Sequence, residues 1–167
     1  NAGVHIPAFI TQLTGITNAM VAGAPPAEAV MADAARFVGE LPMVAHNASF
    51  DRRYWIAELA RAGVPAPQPF ACTVLLSRRL YPEAPSHKLG NLVDWFQLPR
   101  TGRAHRALAD AEMAAELLQR IQHDLRTRHG VAEPDHAYLM GLQRCTKAAV
   151  AKLLARHAVP QGVLSAP

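Results

Sequence analysis

Five apolar residues fall at every fourth position between 109 and 125: Ala109, Met113, Leu117, Ile121 and Leu125. That spacing sits close to the helical period, so it sets them on one stripe. The segment reads as a long helix with one face covered by the rest of the chain. "MVAH" at 43–46 reads as a short buried strand. "FDRRYWIAELARAG" after it reads as a helix closed by Gly63 and Pro65. "PFACTVLLSRRLYP" then reads as a second strand running into a helix that stops before Pro82. Upstream, residues 27–41 carry Val30, Ala34, Phe37, Val38 and Leu41 at helical spacing, between Pro25-Pro26 and Pro42. "SHKLGNLVDWFQL" has Leu89, Leu92, Val93 and Phe96 on one face, with Ser86 placed to cap it. The loop "PRTGRAH" precedes the long helix, and a hinge at "HGVAEPD" leads to a last, looser helix over about 135–157. Strands alternating with helices imply an α/β fold.

The chain's 167 residues are enough for one domain with a real core. Half are apolar and 18% are charged, as in ordinary globular proteins. No apolar run approaches the ~18 residues of a membrane span, and no secretory signal is visible. Cys72 and Cys145 are too far apart for a zinc motif and too few for a disulfide framework, which points to a reducing, cytoplasmic setting. Cys72 reads as a packed apolar residue. The net charge is +4, and arginine supplies 14 of the 17 basic residues. Its planar fork suits phosphate, so a polyanionic partner is allowed.

Two carboxylates stand out. Asp51 and Asp110 each fall in the first turn of an amphipathic helix, a place where the helix dipole alone favours a negative charge. His105 lies five residues before Asp110, and on a helix that separation is about 500°, pointing the two apart. They converge only if His105 belongs to the preceding loop. A loop histidine beside carboxylates is a natural general base, since its ordinary pKa near ~6.5 lets it accept a proton at neutral pH.

"LTGIT" at 13–17, "VAHNASFD" at 44–51, "HKLGNL" at 87–92 and "HRALADA" at 105–111 occur in that order. Together they resemble the DEDDh family of 3′→5′ exonucleases, and within it the proofreading epsilon subunits of bacterial DNA polymerase III. The likeness runs from about residue 3 to about residue 122. It implies a ribonuclease H-like fold, a mixed sheet flanked by helices, with acids clustered at one end. It implies that Asp51 and Asp110 are metal ligands for two Mg²⁺ or Mn²⁺ ions and that His105 is the catalytic base. It also implies that Leu13, Thr14 and Ile16 lie near the terminal nucleotide, that Phe50 packs beneath the site, and that Asn47 holds the strand end or touches substrate. His46 reads instead as a satisfied strand histidine. The implied substrate is a single-stranded or frayed 3′ end of DNA, with RNA possible, and the implied partner is a polymerase subunit.

The sequence departs from that pattern at one point. The family's other two acids come from an Asp-x-Glu motif on a central strand, and residues 1–43 hold no such motif; their acids are Glu28, Asp33 and Glu40. With Asn1 rather than methionine at the start, the expectation is an exonuclease domain over 1–130 that lacks its N-terminal strands, followed by a helical tail over 131–167. The alternative is a catalytically inactive nuclease-like module that binds nucleic acid or a polymerase.

Overall fold

A computed structural model describes residues 1, 3–100 and 106–157. In chain order the elements are α1 (Ala8–Thr14), α2 (Asn18–Ala22), α3 (Ala27–Val38), β1 (Met43–Ala45), α4 (Ala48–Arg61), β2 (Phe70–Cys72), α5 (Thr73–Leu80), α6 (Leu89–Trp95), α7 (Ala107–His129), α8 (His136–Arg144) and α9 (Lys147–His157). The strands pair in parallel, Met43 opposite Phe70, Val44 opposite Ala71 and Ala45 opposite Cys72. A parallel pair needs a crossover, and α4 supplies it.

The stripe predicted on α7 is the centre of the core. Leu117, Ile121 and Leu125 are fully buried and pack with Ala71, Leu76, Leu92, Leu139 and Leu142 in one cluster. At the end of α7, Gly130 adopts φ 66°, a left-handed conformation that L side chains rarely take. The chain thereby reverses, the Val131 N–H donates to the Leu125 carbonyl at 3.0 Å, and Val131 enters the core. A smaller cluster of Ala48, Phe70 and Cys72, flanked by Trp55, lies under α4. Cys72 is therefore packed, as its sequence setting suggested, and both cysteines are free thiols.

The two edges of the sheet differ. β2 is buried throughout, whereas β1 is half-buried. Beyond β2 lies α8, whose Gln143 donates from Nε2 to the Phe70 carbonyl at 3.2 Å and accepts the Cys72 N–H on Oε1 at 2.6 Å. One side-chain amide thus serves β2 as a neighbouring strand would. β1 has β2 as its one strand partner among the described residues.

Several details depart from expectation. The region over 135–157 is two helices, broken at Cys145–Thr146, and both pack on the core through Leu139, Leu142 and Val150. The helix starting after Pro26 ends at Val38, not 41, and its apolar stripe faces outward: Phe37 is 90% exposed, and Val30 and Leu41 are also exposed, while Ala35 is buried. Lys88, not Ser86, occupies the cap position of α6; Ser86 Oγ accepts the Lys88 N–H one step earlier, at 3.3 Å. The sheet of the described residues is two parallel strands, the further strands of a mixed sheet not being among them. No described helix is long and apolar enough to cross a membrane.

Candidate active site

The turn from β1 into α4 sets the first acid. Asn47 adopts φ 71°, ψ 47° at the head of α4. Left-handed backbone is costly for most L residues, and asparagine is among the few that tolerate it. The reversal starts α4 at once after the strand, which places Asp51 in its first turn. Asp110 stands likewise in the first turn of α7. Each acid lies where the positive end of a helix favours it.

The structure brings the two acids together. Asp51 and Asp110 line one cleft of about 500 Å³, floored by Met43, Val44 and Ala45 of β1. Asp51 is exposed and Asp110 half-buried. Among the described residues neither carboxylate has an ion pair or a side-chain hydrogen bond. Asp124 shows the contrast. Only 2% exposed, it accepts from the Tyr81 hydroxyl at 2.9 Å and Arg120 Nε at 2.9 Å, and it pairs with Arg128. Burial, reinforced by this carboxylate, pushes the Tyr81 hydroxyl well above its ordinary range. A buried charge must be answered by partners. The acids at the cleft are wet enough to stay unanswered, leaving their oxygens available to a ligand.

His46, also on the cleft wall, is engaged on both sides. Its Nδ1 lies 2.9 Å from Thr73 Oγ1 and its Nε2 is 3.0 Å from the His87 carbonyl. The neutral tautomer with Nε2–H donating to that carbonyl and Nδ1 accepting the Thr73 hydroxyl satisfies both. Burial, chiefly, holds its pKa below 6.5. The His87 ring in turn meets Ser77 Oγ at 3.0 Å. His46 thus ties the end of β1 to α5 and to the segment before α6, and neither ring nitrogen is spare.

The other candidates fall in different places. Asn47 and Phe50 line the cleft. Phe50 does not pack beneath it: the ring is 53% exposed at the rim and lies 4.7 Å from the Tyr54 ring. Leu13, Thr14 and Ile16 are not on the cleft wall. They lie at the end of α1 and the turn at Gly15, and Arg106, just before α7, donates to the Thr14 carbonyl at 3.4 Å. His105 lies outside the described residues. Sequence reasoning missed Tyr54 and Arg53, whose guanidinium carbon sits 5.9 Å from the Phe50 ring centre and 5.3 Å from that of Tyr54. The signal was present: Phe50 and Tyr54 are four apart on one helix and therefore neighbours.

Carboxylates are the donors that Mg²⁺ and Mn²⁺ prefer, so the chemistry of Asp51 and Asp110 fits such ions. Their number falls short of a closed site, since the described residues contain no group of three or more His, Cys, Asp or Glu able to hold a metal.

Comparison with known proteins adds the following. Residues 1–118 match the sequence profile described as Exonuclease, RNase T type. The PolC-type DNA polymerase III of Streptococcus sanguinis strain SK36 is 39% identical over 132 residues, covering 78% of this chain and 9% of that protein. Its counterpart in Streptococcus pyogenes serotype M18 is 38% identical over 130 residues, covering 77% and 9%. The chain therefore spans about a tenth of the length of the curated relatives it matches. A solved structure, exonuclease X in complex with 5′ overhanging duplex DNA, is similar at 32% identity with a TM-score of 0.57, over 72% of this chain and 68% of that one.

Proposed function

The chain belongs to the exonuclease family, with that family's α/β, ribonuclease H-like fold, and we propose that it removes nucleotides from the 3′ end of DNA as the proofreading-type domain of a polymerase system. The observation that carries this reading is the cleft: two aspartates, from the first turns of two separate helices and without an ion pair among the described residues, face one space beside the end of a strand. The similarity to PolC-type polymerases supports a DNA substrate and a polymerase partner, and the similarity to an exonuclease bound to overhanging duplex DNA supports a frayed end; RNA is chemically compatible. Two free cysteines fit a reducing, cytoplasmic setting.

In this reading Asp51 and Asp110 hold two divalent cations, Mg²⁺ or Mn²⁺, with further carboxylates of the Asp-x-Glu type that residues 1–43 do not supply. Such ions, when bound, would supply positive charge to stabilise the negative charge that develops in phosphodiester hydrolysis. His105 takes the proton from the attacking water. Phe50 offers a flat apolar surface to the terminal base, a contact largely indifferent to sequence. Asn47 supports the strand end, and Leu13, Thr14 and Ile16 bound the terminal nucleotide from the α1 side.

The intact protein with Mg²⁺ or Mn²⁺ should release mononucleotides from the 3′ end of single-stranded DNA, and EDTA should stop it. A 5′-labelled strand that is bound but keeps its length in either metal would overturn the reading. That outcome would assign a nuclease-like binding module instead.

A further inference from the structure

Two more depressions adjoin the cleft. Arg52 and Arg78 border one, of about 330 Å³. Arg78, His87 and Lys88 border the other, of about 580 Å³. The two share Asn47, Val74 and Arg78, and Asn47 is also on the wall of the cleft with Asp51 and Asp110. The three hollows thus meet at the Asn47 turn. On α4, Asp51 and Arg52 are successive residues about 100° apart, so the acid looks into the cleft and the base into the depression beside it.

Five of the described arginines are held in ion pairs. Arg36 pairs with Asp33, Arg61 with Glu58, Arg100 with Asp94, and Arg120 and Arg128 with Asp124. Arg52, Arg78 and Lys88 are exposed and make no ion pair among the described residues. Among the described residues no acid borders either depression. Glu83 is the carboxylate felt nearby, at His87; there burial and then the Arg78 charge hold the imidazole below its ordinary pKa against the pull of Glu83, and Lys147 adds to Arg78. The tract therefore carries a net positive field right beside an acidic cleft.

We propose that Arg52, Arg78 and Lys88 form a binding tract for the phosphodiester backbone of the substrate strand, 5′ of the nucleotides held in the cleft. The inference rests on the reading that the cleft takes a nucleic-acid 3′ end. A strand too long for the cleft needs attraction from the surface around it. Unpaired cations on the adjoining surface supply it, with arginine forks matched to phosphate oxygens. Ser49 and Ser86, on the same walls, add neutral donors of the kind that position a backbone without reading its sequence. Adjacency to the cleft favours the strand over an acidic protein segment as the occupant.

The test uses the intact protein carrying Asp110→Asn, so that bound strands stay whole, and compares it with the same protein carrying Arg52→Ala, Arg78→Ala and Lys88→Ala. Affinity for a trinucleotide and for a long single-stranded oligonucleotide is measured by fluorescence anisotropy over a range of salt. Each phosphate contact contributes about 0.7 to the slope of log affinity against log salt for single strands. The triple change should therefore flatten that slope by about 2 for the long oligonucleotide. It should also remove most of the affinity gained by lengthening the strand. Replacing Arg126 and Arg156, exposed cations away from the tract, should leave the slope as it was. An unaltered slope in the triple variant overturns the tract alone. Failure of the parent to bind any oligonucleotide overturns the nuclease reading with it. Displacement of the long strand by polyglutamate as readily as by unlabelled DNA, lost in the triple variant, would assign the tract to an acidic protein partner instead.

Discussion

At the scale of single residues, the turn at Asn47 carries the most information about the site. Its left-handed backbone predicts a particular ranking of substitutions. Asn47→Gly should change stability by less than about 0.5 kcal/mol, while Asn47→Val should cost about 1–2 kcal/mol, the penalty of left-handed backbone for an ordinary L residue. Urea unfolding reads both; equal costs would show that the turn conformation is not what asparagine is there to serve. His105 carries a different kind of prediction. Its proposed task is a proton transfer in the transition state, so His105→Ala should lower kcat by about 10²–10⁴-fold with far less effect on KM. The acid limb of the rate profile, where the imidazole protonates, should go with it. Near-normal turnover with an unchanged profile would reduce His105 to a bystander. The two aspartates were legible as candidates because acids at helix starts leave a pattern, and their convergence on one cleft required the fold. Tyr54 left its signal in the i, i+4 spacing from Phe50, but an exposed aromatic on a helix looks like ordinary amphipathic spacing until its neighbours are known.

At the scale of elements, α7 was plain in the sequence because one covered stripe on an unbroken helix leaves an unmistakable period. The break between α8 and α9 was not, because neither Cys145 nor Thr146 carries the stereochemical signature of glycine or proline; the Cys145 carbonyl instead accepts from Arg79 Nε at 2.9 Å, a contact made across the fold. The outward stripe of α3 misleads in the same way, since periodicity shows that a face is apolar and says nothing of whether it is covered. The role of α8 was equally invisible. Gln143→Ala should leave the Cys72 N–H and the Phe70 carbonyl unpartnered in a buried setting, at a cost on the order of 2–4 kcal/mol. A loss under about 0.5 kcal/mol in urea would mean that the strand edge finds water or another partner. The histidine chain linking β1, α5 and the start of α6 should make stability depend on pH. Burial, the leading cause in each case, sets His46 and His87 below 6.5, so the folded protein resists protons that the unfolded chain accepts. Their contribution is fully present above about 6.5 and is lost as pH falls through the lower folded values. The urea midpoint should thus decline from pH about 7 to about 5.5; a flat or rising midpoint would count against a neutral, half-buried imidazole pair.

At the scale of the whole molecule, one core unites the α7 stripe with α8 and α9, so the segment after the hinge is part of the fold's packing. The donor count governs activity at this scale. On the proposed ligand assignment, a polypeptide of these 167 residues alone should show no metal-dependent cleavage, because Asp51 and Asp110 would supply two ligands where a two-ion site needs more. Robust Mg²⁺-stimulated release of nucleotides by that polypeptide would show that the ligand assignment is wrong. The sheet adds a geometric asymmetry. One side is shut by the Gln143 amide, and the other is the half-buried β1, whose residues also floor the cleft. Strand addition to this sheet therefore has a direction. Among the described residues, an incoming strand finds backbone groups to pair with alongside β1, and once seated it becomes a wall of the cleft. Left unfilled, the same edge is open to pairing with another chain, so one pairing event would also remodel the acidic cleft.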